Sequence, residues 1–275
     1  MRVLLYNLRV KLEKGGKELN KNKTKKKKLT RLSKILIFIL IFSGLIYLIS
    51  ISGLVNIKKI DIKTNGKKVS VQEIQELSNL DINTSMLSFN THKIEDNILK
   101  NSYISKALVK RHFNGTVTID VKERQIAYKI NYAGGNILID SEGYVLEIVA
   151  EETNYPVLLG ITTDLASLTV GGSSDQIKKL NEKDVKKIEV INTLMEIAKK
   201  EGIFELITGA DITDEKNYIL HLDKEEKIVY LGDGSDLNTK LPCLVKILED
   251  QKGIKGEIFM DNSLSVSKPR FRKSV

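Results

Sequence analysis

Tryptophan is absent from these 275 residues, cysteine occurs once, and proline and histidine three times each. A lone Cys243 excludes an intramolecular disulfide framework. Its apolar setting, LPCLVKIL, reads as a buried, inert thiol. His92, His112 and His221 stand far apart, with no H-x-x-x-H or Cys/His ligand spacing, so no metal site is expected. G-x-S-x-G is missing. Gly134-Gly135, Gly171-Gly172 and Gly232-Asp233-Gly234 read as turns, because none extends to a phosphate-binding fingerprint. Ser265-Val266-Ser267-Lys268 has the S-x-x-K spacing but lacks the S-D-N and K-T-G companions that chemistry needs. Glu151-Glu152 and Asp223–Glu226 flank turns and read as solvated loops. Internal repeats are also lacking. The chain therefore predicts no catalytic, cofactor-binding or metal-ligating residue.

What the chain does have is an uncharged run of twenty-one residues, Ile35–Val55, rich in Ile, Leu and Phe. As a helix it would reach about 30 Å, the thickness of a bilayer's hydrocarbon core. It is too long for a signal-peptide core and has no A-x-A-like cleavage site, so it reads as an uncleaved anchor. Residues 1–34 hold 13 Lys or Arg and two acids, a net of +11; the whole chain is +9, so the remainder sums to −2. Lys25, Lys26, Lys27, Lys28, Arg31 and Lys34 thus set the topology: N-terminus cytoplasmic, one crossing, about 220 residues outside. Beside a span, this lysine block suits topology and anionic lipid; no aromatic interleaving points to nucleic acid.

The outer part predicts an α+β fold. From Ile57 to Glu123 the order is strand, helix, helix, strand, strand. Ile60 and Ile62 alternate with charges, and Asn65-Gly66 ends the strand. Ser70 and Glu73 make a capping box for a helix with Val71, Ile74 and Leu77 along one face. A loop through Asn83 and Ser85 presents Met86, Leu87 and Phe89. The second helix starts at Asn90 or Thr91, and Asn114-Gly115 reads as a two-residue hairpin turn. Beyond Arg124 come more strands, at 137–140 and 144–149 around the turn Asp140–Gly143, then at 156–160. A long helix runs from an Asn181 N-cap, with Asp184 at its third position, to Lys200, with Gly202 as C-cap. Strands follow at about 203–208, 217–223 and 227–232, then a helix at 237–251. Lys255–Asp261 reads as the last strand, and the basic residues from Lys268 to Lys273 as a disordered tail.

This arrangement resembles the bacterial cell-division family FtsQ/DivIB. Ile57-Lys-Lys-Ile-Asp-Ile fits the first strand of that family's POTRA domain, and Ser70-Val-Gln-Glu-Ile its first helix. Ile104–Arg111 and Val117–Arg124 resemble its most recognisable stretch. Ile139–Leu146 and Tyr155–Gly160 resemble the entry to its β domain; Leu231-Gly-Asp, Asn238–Leu241, Ile247-Leu and Gly256–Asp261 resemble its C-terminal end. Ser102, Asn114 and Ile126 depart from the family where it often has proline. The resemblance implies residues 1–34 as a basic cytoplasmic tail and 35–55 as the transmembrane helix. It further implies a POTRA-like β-α-α-β-β module at 56–124, a second β-rich domain with two helices at 125–262, and a tail at 263–275. It also implies a non-catalytic divisome scaffold at the septum, without cofactors. Its partners would be FtsL-like and DivIC/FtsB-like single-span proteins, with septal peptidoglycan synthases reached indirectly. Rival classes are an extracytoplasmic cell-wall enzyme and a POTRA-bearing transport or secretion component.

A scaffold binds through surfaces, and open strand edges are such surfaces. Along Lys255–Asp261, alternation puts Glu257, Phe259 and Asp261 on one face and Ile258 and Met260 on the other. The first set is the candidate partner-binding face, with Phe259 as its anchor; the rival reading has Phe259 simply buried. Topology is directly testable. In a Cys243→Ser background, cysteines placed at Asn65 and Asn114 should react with an impermeant thiol reagent in intact cells, and cysteines at Lys25–Lys28 should not. The opposite pattern would invert the orientation.

Overall fold

The computed structural model describes residues 31–49, 55–169, 177–260 and 268–274. It is a mixed α+β chain that begins with an apolar helix, α1 (Arg31–Ile49), none of it buried. By length and composition α1 can cross a membrane. Phe38 and Phe42, one turn apart, stack at 6.2 Å along its side. Arg31 and Lys34 are exposed in its first turn, whereas Lys25–Lys28 lie outside the described residues. Val55, counted as span by its polarity, instead occupies a turn, and its carbonyl accepts the Met86 N–H at 2.8 Å.

Two compact units make up the chain. The first runs to Ile60 and adds Asp81–Phe89 and Arg111–Val117; the second holds Asp61–Leu80, Asn90–Lys110 and everything from Thr118. The elements after α1 are β1 (Lys59–Thr64), α2 (Val71–Ser78), α3 (Thr91–Ile98), β2 (Ile104–Arg111) and β3 (Thr116–Glu123). The three strands form a sheet in the order β1-β3-β2. Ser70 Oγ caps α2 by accepting the Glu73 N–H, and Asn90 Oδ1 caps α3 by accepting the His92 N–H. The capping box is half made, because the Glu73 carboxylate accepts from Asn101 Nδ2 at 2.7 Å. Ile74, Ile94, Ile98, Ile104, Ile119 and Val121 are buried, as the periodicities of 3.6 and 2 require.

The β2–β3 turn corrects one expectation. His112 and Thr116 pair through the His112 N–H, and Gly115 donates to the His112 carbonyl, so the loop has three residues, Phe113-Asn114-Gly115. Only Gly115 has positive φ (+87°); Asn114 stays out of the left-handed region and uses its side chain to accept the Thr116 N–H. This is a turn closed by a glycine bulge, the three-residue solution to the same hairpin.

The larger sheet has nine strands: β4 (Tyr128–Tyr132), β5 (Gly135–Ile139), β6 (Val145–Val149), β7 (Val157–Leu159), β8 (Gly209–Asp211), β9 (Tyr218–Leu222), β10 (Lys227–Gly232), β11 (Gly256–Phe259) and β12 (Arg270–Lys273). Their order is β12-β11-β10-β9-β8-β7-β4-β5-β6. Parallel pairs need crossovers. The short α4 (Leu165–Thr169) and long α5 (Glu182–Lys200) lie between β7 and β8, and α6 (Leu237–Asp250) between β10 and β11. Ile188, Ile191, Leu194 and Met195 of α5 join Leu241 and Leu244 of α6 against Leu220, Leu222, Val229, Leu231 and Ile258 of the sheet in one core. The stretch 203–208 is not a strand. Gly202 (φ +76°) and Ile203 donate to Lys199 and Ala198 carbonyls, a Schellman end for α5, and a 3-10 turn at Phe204–Leu206 follows before β8.

At the end of β3, two neighbouring residues fix the junction between the two sheets within the second unit. The buried Glu123 carboxylate accepts from Thr64 Oγ1 and the Lys68 N–H, at 2.8 and 2.9 Å. Gly66 leaves room beside it: a Cβ there would lie 2.0 Å from Glu123 Oε2, and the carboxylate would have to move. Arg124 points onward: its Nη1 donates to Asp140 at 2.7 Å, and its guanidinium lies 3.7 Å over the Tyr144 ring. Ser102 Oγ donates to the Leu146 carbonyl, and Lys68 pairs with Glu147.

Asp184 is wholly buried in the first turn of α5. It accepts from the N–H groups and hydroxyls of Thr162 and Thr163 at 2.6–3.0 Å, so it ties the loop after β7 to the helix. Burial works to raise its pKa, but these hydrogen bonds outweigh it and hold the carboxyl below its ordinary value. A depressed folded-state pKa gives stability that is present above the unfolded value and lost as pH falls through the folded one. Asp184→Asn should therefore lower stability at neutral pH by about 1–3 kcal/mol. The gap between variant and parent should narrow below pH 3.8, as denaturant melts of the full-length protein in detergent at pH 7 and pH 3 can check.

Candidate partner-binding surface

The nine-stranded sheet has two unlike faces. Alternate residues of β9, β10 and β11 enter the core, while Ile219, His221, Ile228, Tyr230, Glu257 and Phe259 lie half-exposed on the other side. Register lines these up in rows across the strands. Ile219, Tyr230, Phe259 and Arg270 follow one another in one row; His221, Ile228, Glu257 and Arg272 form the next. The sequence pattern separates Phe259 from its neighbours, and the structure agrees: Ile258 and Met260 are buried, and Phe259 is half-exposed.

The edge itself differs from expectation. Lys255–Asp261 is not the final strand, and residues 270–273 are not a disordered tail. β12 pairs antiparallel with β11, joining Glu257 to Arg272 and Phe259 to Arg270. The physical cause is side-chain complementarity. Arg272 donates to the Glu257 carboxylate through Nε at 2.7 Å and also through Nη2. The two arginines flank the Phe259 ring, 5.9 Å (Arg270) and 5.1 Å (Arg272) from its centroid. Phe271, on the opposite side of β12, packs against the core. Among the described residues β12 is therefore the end of the sheet, with no strand beyond it in the strand order.

Phe259 lies flat on Tyr230, centroids 4.8 Å apart and planes 2° from parallel. Glu257 accepts the Tyr230 hydroxyl at 3.2 Å; burial first, then this carboxylate, push the phenol pKa up. Glu257 and Phe259 thus sit together beside the edge. Asp261, the third candidate, lies outside the described residues. Arg270, Arg272 and Tyr230 complete the group, and sequence reading missed all three. Tyr230 could have been found from its register opposite Phe259, but Arg270 and Arg272 only by pairing a short charged segment with β11. Among the described residues, no three His, Cys, Asp or Glu side chains gather so as to hold a metal ion.

Because Phe259 is half-exposed, its removal should be tolerated. Phe259→Ala should leave the protein folded and cost about 1–2 kcal/mol, from the aromatic pair and the partly buried ring area. Urea titration of the full-length chain followed by circular dichroism reads this. An unfolded variant would mean that Phe259 belongs to the core.

Comparison with known proteins adds an independent line. Residues 55–124 match the family of FtsQ-type POTRA domains. The cell division protein DivIB of Clostridium acetobutylicum is 28% identical over 197 residues, 71% of this chain and 74% of that protein. DivIB of Clostridium tetani is 26% identical over 188 residues, 68% of each chain. The cell division protein FtsQ of Geotalea daltonii is 27% identical over 183 residues, 65% of this chain and 62% of the relative.

Proposed function

The chain belongs to the FtsQ/DivIB family of cell-division proteins, and we propose that it serves division as a non-catalytic, membrane-anchored scaffold at the septum. In this reading residues 1–34 stay in the cytoplasm and residues 35–54 cross the membrane. A POTRA-like module takes up 56–124, and a second, β-rich domain starts at 125 and takes in β12. The partners are FtsL-like and DivIC/FtsB-like single-span proteins, through which septal peptidoglycan synthases are influenced indirectly.

The observation that supports binding most is the end of the nine-stranded sheet. A terminal strand offers unpaired N–H and C=O groups to a partner strand. Beside it, Phe259 with Arg270 and Arg272 supplies an aromatic and cationic surface, the residue types that dominate interface hot spots. Glu257 positions Arg272 for this role. Asp261 extends the same candidate face by alternation.

Two measurements test the proposal together. A fluorescent fusion in dividing cells should form a ring at the division site; uniform membrane staining would contradict a septal role. With the full-length protein, Phe259→Ala should weaken capture of the DivIC-like partner by about 2 kcal/mol or more. Undiminished capture by the folded variant would remove Phe259 from the binding face.

A further inference from the structure

In the first unit, three large apolar side chains stand in water at the tips of two loops. Phe113, at the apex of the β2–β3 hairpin, is wholly exposed, and Leu87 and Ile82, between α2 and α3, are 61% and 58% exposed. Turn tips are ordinarily polar, and an apex phenylalanine that touches no core has no packing role. Both tips are tied by backbone hydrogen bonds to the same short stretch of chain. Met86 donates to the Val55 carbonyl, Ile57 donates to that of Thr84, Asn56 bridges to Ser85, and Lys58 donates to the Gly115 carbonyl, with bonds of 2.8–3.0 Å.

That stretch immediately follows the apolar helix. Val55 is six residues beyond Ile49, and six residues span at most about 20 Å however they run. The tips are thus confined to the neighbourhood of the end of α1. Their charges suit a membrane surface. In residues 55–60, 81–89 and 111–117, Lys58, Lys59 and Arg111 stand against one acid, Asp81. Arg111 covers the Phe89 ring at 4.4 Å and donates to the Phe89 carbonyl, so its charge is held at this end.

Exposed aromatic and aliphatic side chains ringed by cations, at the level where a helix leaves the bilayer, are the pattern of an interfacial lipid contact. We propose that Phe113, Leu87 and Ile82 insert into the headgroup boundary of the leaflet from which α1 emerges, with Lys58 and Arg111 against anionic headgroups. The proposal rests on α1 being a membrane anchor. One helix alone lets a domain swivel about its linker; a second contact fixes its orientation on the membrane.

The missing tryptophan makes the test clean, because one introduced indole is the sole reporter. Full-length Phe113→Trp, Phe42→Trp and Ile148→Trp variants are placed in nanodiscs of phosphatidylcholine and phosphatidylglycerol, with and without bromine on the acyl chains. Expected are quenching and blue-shifted emission at positions 113 and 42, and water-like, unquenched emission at 148. Replacing phosphatidylglycerol by phosphatidylcholine should reduce quenching at 113 and leave 42 unchanged. Quenching at 42 with water-like emission at 113 would overturn the proposal and leave the tips to a protein partner. Absence of quenching at both positions would overturn the anchor and this contact with it.

Discussion

Glu123 and Arg124 form the hinge pin of the second unit, and much of the architecture depends on their facing in opposite directions. Alternation along β3 turns one carboxylate back toward β1 and the start of α2, and passes one guanidinium forward to the turn between β5 and β6. Neither group is cheap to bury, because a charge taken from water must recover its hydration from the protein. The recovery is specific. Glu123 is satisfied by the Thr64 hydroxyl and the Lys68 N–H, which flank the turn at Gly66. Arg124 pairs through Nη1 with Asp140 and lies over the face of Tyr144, which Lys179 also approaches at 4.4 Å. An apolar pair could fill the same volume, but it would accept many orientations. A buried ion pair with a stacked ring accepts few, and so sets the direction in which the long sheet leaves β3.

The same economy recurs along the sheet. Lys227 and Lys240 are buried, yet each ammonium reaches a carbonyl: Lys240 Nζ to Leu231 at 2.7 Å, Lys227 Nζ to Glu225 at 3.0 Å. Their alkyl stems add apolar area to the core while the heads satisfy groups that strands and helices leave open. At these two positions charge is thus used to close off carbonyl groups.

What the sequence disclosed, and what it hid, divides by distance along the chain. Asn181 and Asp184 could be read as an N-cap and its third residue because capping is local. The partners that make Asp184 important, Thr162 and Thr163, lie some twenty residues upstream, and no periodicity announces them. Ile203–Leu206 is apolar enough for a strand, but the Schellman end of α5 claims its backbone first. Asn114-Gly115 marked the hairpin correctly; loop length turned on whether Asn114 would take positive φ, and a side-chain bond to Thr116 offered a cheaper course. β12 was hidden for a different reason. Arg270-Phe271-Arg272-Lys273 is charged as edge strands are, and charge alone also describes a tail. Only β11, with Glu257 and Phe259 in register, tells the two apart. The face of Phe259 was legible from alternation, whereas its companions on the face were not.

The composition of β12 also bears on which partner an open edge would accept. Two copies of this strand paired antiparallel in that register would set Arg270 against Lys273, cation against cation, at both ends of the pair, with Phe271 against Arg272 between them. Like charges directly opposite one another destabilise a strand pair, so the edge resists joining its own kind. A heterologous strand bearing acids at alternate positions meets no such penalty and gains charge-assisted pairing beside a half-exposed aromatic. On the scaffold reading, the arginines that conceal β12 in the sequence therefore do two things. They fasten the strand to Glu257 and Phe259 on its inner side, and on its outer side they favour an acidic strand over a second copy of their own.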